Sequence, residues 1–339
     1  MYRPGPSANA TLTDVAPRAD PMQKKTLFLL LKLLFSVALI LWITNDIALD
    51  AVLGVMASSN ASLLALAFSL FFVGYVIAAF RWRTLIRVQS GDAPIFFLVR
   101  SFMVALFFNN FLPSTVGGDV VRMYDSWRLG NSKSDAVTIV LVDRFLGVIV
   151  LLCFALLALM FDKTVAGEVP FIAVWVSAGL GGIAMAAWLI LKIPASYAEA
   201  LALKGGGITA QIGVILAKVL RSFQAYRHAR SAVLRALGLS ILLQVNVVVH
   251  FVLLARAVGV EVPVESMFLI IPVAVFIMML PISINAIGVR EAVFVFLFSL
   301  YGVESVQALA FAWIAYSFTL LQGVLGGVVF ALRRERHTG

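Results

Sequence analysis

Six stretches of this sequence, residues 27–44, 62–80, 136–161, 170–192, 236–255 and 306–331, run almost unbroken through apolar side chains. Each approaches the roughly 20 residues that a helix needs to cross about 30 Å of hydrocarbon. Lipid offers the backbone no hydrogen-bond partner, so runs of this length must be helices that satisfy their own N–H and C=O groups. Composition agrees: 62% of the 339 residues are hydrophobic and 13% charged, at a mean hydropathy of +1.02, where soluble domains carry about 25% charge. A soluble enzyme, a disordered chain and a disulfide-stapled secreted domain are excluded. Cys153 lies alone in an apolar run, and His228, His250 and His337 are scattered, so no metal site and no cofactor is expected.

Two further apolar regions, 94–130 and 266–301, are interrupted by PSTVGGD (113–119) and PISINAIG (281–288). Their Pro and Gly residues cannot continue a helix, which predicts broken helices. Residues 1–23 are Pro- and Ala-rich and read as a disordered tail; the run from Leu27 has no small-residue cleavage site near it and reads as a retained span. The net charge of +9 suggests nucleic acid until it is mapped: 21 of the 26 Lys and Arg residues fall in the N-terminal segment, 81–100, 119–135, 192–235 and the C-terminus. The connections between them, 45–61, 162–169, 256–265 and 302–305, hold only Lys163 and Arg256 against seven acids. By the positive-inside rule the basic segments and both termini are cytoplasmic, and no nucleic-acid partner is expected.

With these sides fixed, each broken segment begins and ends on the same side, the first inside and the second outside. Each is expected to be a re-entrant hairpin. Arms 266–280 and 292–301 would reach about 22 and 15 Å as helices, short of a crossing. The leading arm 95–112 of the first is nearly long enough to span, but a single crossing there would place the seven cations of 192–235 outside. The two halves, 24–161 and 162–335, then repeat the same elements with opposite orientation inside one membrane domain, 24–335. Leu112-Pro113 followed by Arg122 recurs as Leu280-Pro281 followed by Arg290, 168 residues on. The expected fold is an all-α polytopic membrane protein of six transmembrane helices plus two opposed re-entrant hairpins in an inverted-topology repeat, an arrangement that recurs among secondary transporters. In the loop 192–235, Ile212, Ile215, Val219, Phe223 and Tyr226 share one face and Lys218, Arg221 and His228 another, which predicts an amphipathic helix over about 208–231 on the inner surface.

Chemistry-bearing side chains concentrate at the breaks. Gly117 and Gly118 let the backbone approach a ligand, and a helix starting near Asp119 would attract a phosphate that Arg122 could also grip. Asn109, Asn110, Ser114 and Thr115 offer neutral donors and acceptors beside it. The alternative is that Asp119 caps the return helix and Arg122 is an interfacial cation. Asp143 and Arg144 lie about 10 Å inside a span, where an ionised group needs a partner or a wet cavity. Adjacent residues on a helix point apart, so each needs a partner elsewhere, with Asp119 and Arg122 at hand; a structural ion pair pinning this span to the first hairpin is the competing reading. Arg290 and Glu291 occupy the matching place in the second hairpin, after Ser283 and Asn285, with a self-paired Arg290 and Glu291 as the alternative. Gln244, Asn246 and His250 read as hydrogen bonds between helices, with a proton relay at His250 as the alternative.

The stretches NNFLPSTVGGDVVR (109–122), DRFLG (143–147) and LPISINAIGVRE (280–291) resemble the flippase-like membrane domain of the lysylphosphatidylglycerol synthase transmembrane family, over about residues 24–335. In that family the domain is fused to a synthase that aminoacylates phosphatidylglycerol, or is associated with sugar-transfer enzymes that use polyprenyl carriers. The resemblance implies a stand-alone lipid translocator in a bacterial plasma (inner) membrane, without aminoacyl transfer. Its partners would be anionic or aminoacylated phospholipids or a polyprenyl phosphate, and oligomers are compatible with it. The family usually has a Gly pair where this sequence has Asn285-Ala286. Two rival expectations stand beside it: a membrane enzyme using Asp119 and Asp143 as general acid and base, and a non-transporting partner of a separate lipid synthase or glycosyltransferase.

Overall fold

A computed structural model describes residues 21–45, 47–89, 91–111, 117–169, 171–204, 208–280 and 282–333. Among these, fourteen helices follow one another: α1 (Pro21–Thr44), α2 (Leu49–Ser58), α3 (Ala61–Val88), α4 (Ile95–Phe111), α5 (Gly117–Arg128), α6 (Lys133–Leu159), α7 (Lys163–Glu168), α8 (Ile172–Lys192), α9 (Ala195–Lys204), α10 (Ile208–His228), α11 (Arg230–Val258), α12 (Val264–Met278), α13 (Val289–Ser299) and α14 (Ser305–Ala331). Five of them, α3, α6, α8, α11 and α14, are long and apolar enough to cross a membrane. A sixth crossing requires Leu30–Thr44 and Leu49–Ser58, bent 85° to one another, to be taken together. Local sequence sets the helix ends. Asn60 accepts the Leu63 N–H at 3.1 Å to open α3, Ser132 and Asp135 cap α6 reciprocally, and Gly259, at φ +80°, closes α11.

The two interrupted regions form short helices. With 17 and 12 residues in α4 and α5, and 15 and 11 in α12 and α13, they reach about 26, 18, 22 and 16 Å. Each is shorter than the hydrocarbon it would have to cross. α4 packs against α5 and α12 against α13. The first break, including Ser114 and Thr115, lies outside the described residues, as does the 1–20 part of the tail. The second turns through Asn285 and Ala286, at φ 51° and 58°, and Gly288 at +82°. All three positions are in the left-handed region that glycine adopts most easily. The Gly pair absent here therefore falls where the backbone favours it.

Helix contacts recur across the chain. α4 packs on α14 and α12 on α6; α5 on α6 and α13 on α14; α3 on α4 and α11 on α12; α3 on α6 and α11 on α14; α2 on α14 and α10 on α6. Exchanging α2–α6 for α10–α14 turns each of these contacts into its counterpart. The most extensive pair, α3 with α11, maps onto itself. α1 and α8 break the pattern, since α1 packs on α13 and α8 on α6, and so does the α6–α11 contact, whose counterpart between α14 and α3 is much smaller. The two largest apolar clusters divide along the same lines. One joins Trp82 and Leu85 of α3, Leu98 of α4, Ile139 of α6 and Phe223 of α10; the other joins Val52 of α2, Leu254 of α11, Ile270 of α12, Phe294 of α13 and Phe311 of α14.

The predicted amphipathic helix is α10, and its apolar face divides. Phe223 and Tyr226 are buried against α3 and α6, with the Tyr226 hydroxyl donating to the Leu85 carbonyl at 3.1 Å. Ile215, a turn or more earlier, is exposed. Part of the face expected to lie on the membrane surface is thus packed inside the protein.

Candidate functional site

Asp143 is 1% exposed, within the described interior of α6. A bare carboxylate there would cost several kcal/mol, and two guanidiniums offset that cost. Arg81 of α3 places Nε 2.6 Å from Oδ1 and Nη2 3.0 Å from Oδ2. Arg122 of α5 places Nη2 2.8 Å from Oδ2. Arg81 also donates to Ser240 Oγ of α11 at 3.1 Å. The Arg122 guanidinium lies over the rings of Trp82 and Phe102, 4.8 and 4.4 Å from their centroids, where the ring faces favour a cation. One position on, Arg144 points away and pairs with Asp119 at the start of α5. The two adjacent charges of α6 thus find separate partners, Arg122 and Asp119.

These five charged side chains line one cavity of about 320 Å³, together with Asn109, Gly118, Gly147, Ser240, Gln244 and Met279 among others. Its walls therefore come from α3, α4, α5, α6 and α11 and from the residue that ends α12. Three guanidiniums face two carboxylates, an excess of one positive charge. Two donors in its lining side chains, Arg122 Nε and Gln244 Nε2, are buried without a hydrogen-bond partner. A buried donor left unpaired costs about 1–3 kcal/mol, and more beside a charge. The cavity thus presents an excess of positive charge and unpaired donors to whatever fills it.

Other predicted residues are drawn in differently. The Gly118 N–H donates to Asn109 Oδ1 at 2.7 Å, and a Cβ at Gly118 would lie 2.5 Å from the Ala105 carbonyl oxygen. The glycine therefore lets α5 approach α4, and its N–H is already taken rather than open to a ligand. Gly117, at the same helix start, is buried. Asn110 Nδ2 donates to the Thr319 carbonyl of α14 at 2.7 Å, and Asn285 Nδ2 donates to the Asn110 carbonyl, also at 2.7 Å. That last bond joins the two interrupted segments directly.

In the second segment Glu291 accepts the Gly288 N–H at 2.7 Å. Arg290 donates Nη2 to the Asn285 carbonyl at 3.3 Å and stacks over Tyr316, 4.7 Å from the ring centroid. The expected alternative of an Arg290–Glu291 ion pair is not formed. Arg290 is 9% exposed, and its Nη1 and the nearby Ser283 Oγ are buried without partners. Asn246 and His250 hydrogen-bond the α3 carbonyls of Leu70 and Ala67 at 3.1 and 2.7 Å, which joins α11 to α3.

Sequence reasoning passed over Arg81 by assigning it to an interfacial basic cluster. The signal lay in helical spacing, for the buried stripe Ala78, Trp82 and Leu85 of α3 continues past the apolar run and contains Arg81. Asp125 was also passed over. It is fully buried, accepting from Ser101 Oγ and from both Nη atoms of Arg333 at 2.9 and 2.7 Å. Among the described residues no three His, Cys, Asp or Glu side chains converge to hold a metal ion.

A family model described as the lysylphosphatidylglycerol synthase TM region matches residues 29–327. A UPF0104 membrane protein of Methanocaldococcus jannaschii is 33% identical over 138 residues, 39% of this chain and 39% of that protein. Another, from Pyrococcus horikoshii, is 23% identical over 171 residues, 50% of this chain and 51% of the relative. The matched stretches thus span about half or less of these relatives' own lengths.

Proposed function

The chain belongs to the lysylphosphatidylglycerol synthase transmembrane-region family of membrane proteins, and from that premise we propose that it is a lipid translocator rather than an enzyme. Its cargo is an anionic or aminoacylated phospholipid, or a polyprenyl phosphate, moved between leaflets of a plasma membrane with both termini cytoplasmic. One observation carries this reading: a cavity of about 320 Å³ between interrupted helices, lined by Arg81, Arg122, Arg144, Asp119 and Asp143. Its excess positive charge and its unpaired donors suit a phosphate monoester or diester. The volume is at the lower end for small-molecule sites, enough for a headgroup while acyl chains stay in the bilayer.

The architecture in this proposal is an inverted-topology repeat in which α4–α5 and α12–α13 are opposed re-entrant hairpins. Three features support it: the exchange of helix contacts between α2–α6 and α10–α14, the four short helix lengths, and the bond from Asn285 in the second break to Asn110 near the end of α4. The mechanism follows from the ion pairs. Arg144, the most exposed of the five charged groups, meets the headgroup first. The phosphate then accepts from Arg122 Nε while Asp143 keeps Arg81. Arg290, with a free Nη1 in the second hairpin, receives the phosphate toward the opposite leaflet. Transport is downhill or proton-coupled. Asp119 and Asp143, the acid and base of an enzyme reading, are both held by guanidiniums.

The test is movement of fluorescent phosphatidylglycerol, lysyl-phosphatidylglycerol and a polyprenyl phosphate across vesicles holding the purified chain. One lipid should move with wild type and fail to move with Arg122→Ala and Arg290→Ala in folded protein. No movement of any lipid, across several bilayer compositions, would refute translocation.

A further inference from the structure

A second concave surface lies on the other side of the α4–α5 pair. A groove of about 1010 Å³ runs between α4, α5 and the end of α14. None of its lining residues also lines the central cavity. Its charged lining consists of Arg100, Arg128 and Arg333 against one acid, Asp125. Asp125 is fully buried and already holds Ser101 and Arg333, so it is not a partner for Arg100. Arg100 has no carboxylate partner among the described residues, and its contact is with the Phe96 ring, 5.6 Å from the centroid.

The rest of the wall is apolar and open. Phe96 and Val120 are 72% and 58% exposed, and Phe330 is 47% exposed. Register orders the two kinds of surface: Arg100 precedes Phe108 on α4 by about 12 Å, and Arg128 follows Val120 on α5 by about the same. Arg100 and Arg128 therefore stand toward one end of the groove, with Phe96 beside Arg100, and an apolar stretch through Val120 and Phe108 runs toward the other. From Phe96 to Phe108 the groove follows α4 for about 18 Å, comparable with the roughly 15 Å depth of one leaflet's hydrocarbon. A soluble anion would use the cations and leave this apolar length without purpose. An uncharged lipid would use the apolar length and leave Arg100 unanswered.

We propose that this groove is a binding site for an anionic phospholipid of the leaflet on the basic side of the protein. The lipid phosphate sits on Arg100 and Arg128, and one acyl chain lies along α4 past Val120 toward Phe108 and Phe330. The site holds lipid against the outer face of the same α5 helix whose inner face carries Asp119 and Arg122. It rests on the membrane location of the chain and does not require that lipid be translocated.

The test uses the full chain in mixed micelles with equimolar phosphatidylglycerol and phosphatidylcholine, with retained lipids counted by native mass spectrometry. Wild type is expected to retain phosphatidylglycerol in preference. Arg100→Gln should lower that retention about tenfold or more, the scale of losing a hydrogen bond between charged groups, and Arg100→Gln with Arg128→Gln should abolish the preference. Arg100 has no ion pair to lose, so the single variant carries the test if the double variant does not fold. Excess inorganic phosphate should leave the lipid in place. Equal retention of the two lipids by wild type, unchanged retention by Arg100→Gln, or displacement by inorganic phosphate would each overturn the proposal. No transport is read, so a failure here leaves the translocation proposal to its own vesicle assay.

Discussion

At Asp143 one carboxylate answers two buried guanidiniums, so the balance of charge depends on a single side chain. Asp143→Asn leaves Arg81 and Arg122 without a counter-ion in a site they cannot leave. The expected loss is about 3–5 kcal/mol, read as a fall in unfolding temperature in detergent. Asp92→Asn is the contrast. Asp92 also meets two arginines, Arg83 and Arg87, at 2.7 and 3.1 Å, but in water, where such pairs contribute little. Equal effects of the two substitutions would contradict the account of the buried triad. A second test is Ala286→Gly. At φ 58° an L side chain is strained by about 1–2 kcal/mol, so glycine should stabilise by up to about 1 kcal/mol after its own entropy cost. Asn285→Gly should destabilise instead, because it removes the bond to Asn110. At this scale the sequence made Asp143, Arg144, Asp119 and Arg122 legible, since ionised groups next to helix breaks and inside apolar runs need partners. Arg81 was not legible as a partner, because a cation at the end of an apolar run looks the same whether it turns to water or inward. The role of Gly118 was misread for a similar reason: room for a ligand and room for another helix have one signature.

The elements are held by close approach as much as by charge. A Cβ on Gly326 of α14 would lie 2.0 Å from the Met103 carbonyl of α4, whereas one on Gly238 of α11 would meet nothing within 4 Å. Gly326→Ala should therefore separate α4 from α14 and lose about 1–3 kcal/mol. Gly238→Ala should be neutral or gain up to about 1 kcal/mol from helix propensity, and thermal unfolding of the pair separates packing from propensity. The joint between α3 and α4 has its own pH signature. Hydrogen bonds from Arg83, then Arg87, hold the Asp92 carboxyl well below the usual carboxylate range. A depressed pKa contributes stability above the unfolded value of about 3.9 and loses it as pH falls through the folded one. Amide exchange in the 89–94 loop should accordingly be indifferent to pH across 5–8, after correction for intrinsic rates, and Asp92→Asn should raise it. The breaks at 113–119 and 281–288 were readable because Pro and Gly end helices wherever they fall. The division of the α10 face was not, since lipid and a neighbouring helix accept the same apolar side chains.

For the whole molecule, the all-helical membrane class was legible from the apolar runs, and the inverted repeat proposed from charge placement and one Leu-Pro spacing is supported by contacts that exchange α2–α6 with α10–α14. What sequence could not supply is the packing of α1 and α8, which depart from that exchange. Both are apolar helices, and periodicity does not name a neighbour. The central claim is that a lipid headgroup crosses through the cavity beside Asp143. Gly147 lines that cavity and a Cβ there would meet only Arg81 Nη1, at 3.7 Å, so Gly147→Leu fills the space without removing a charge. The direct measurement is the rate at which fluorescent anionic lipid becomes accessible in the outer leaflet of vesicles holding wild type or Gly147→Leu at equal density. The account predicts movement with wild type and at least about a tenfold slower rate with Gly147→Leu, a barrier rise of about 1.4 kcal/mol. Equal rates from the two folded proteins would contradict it.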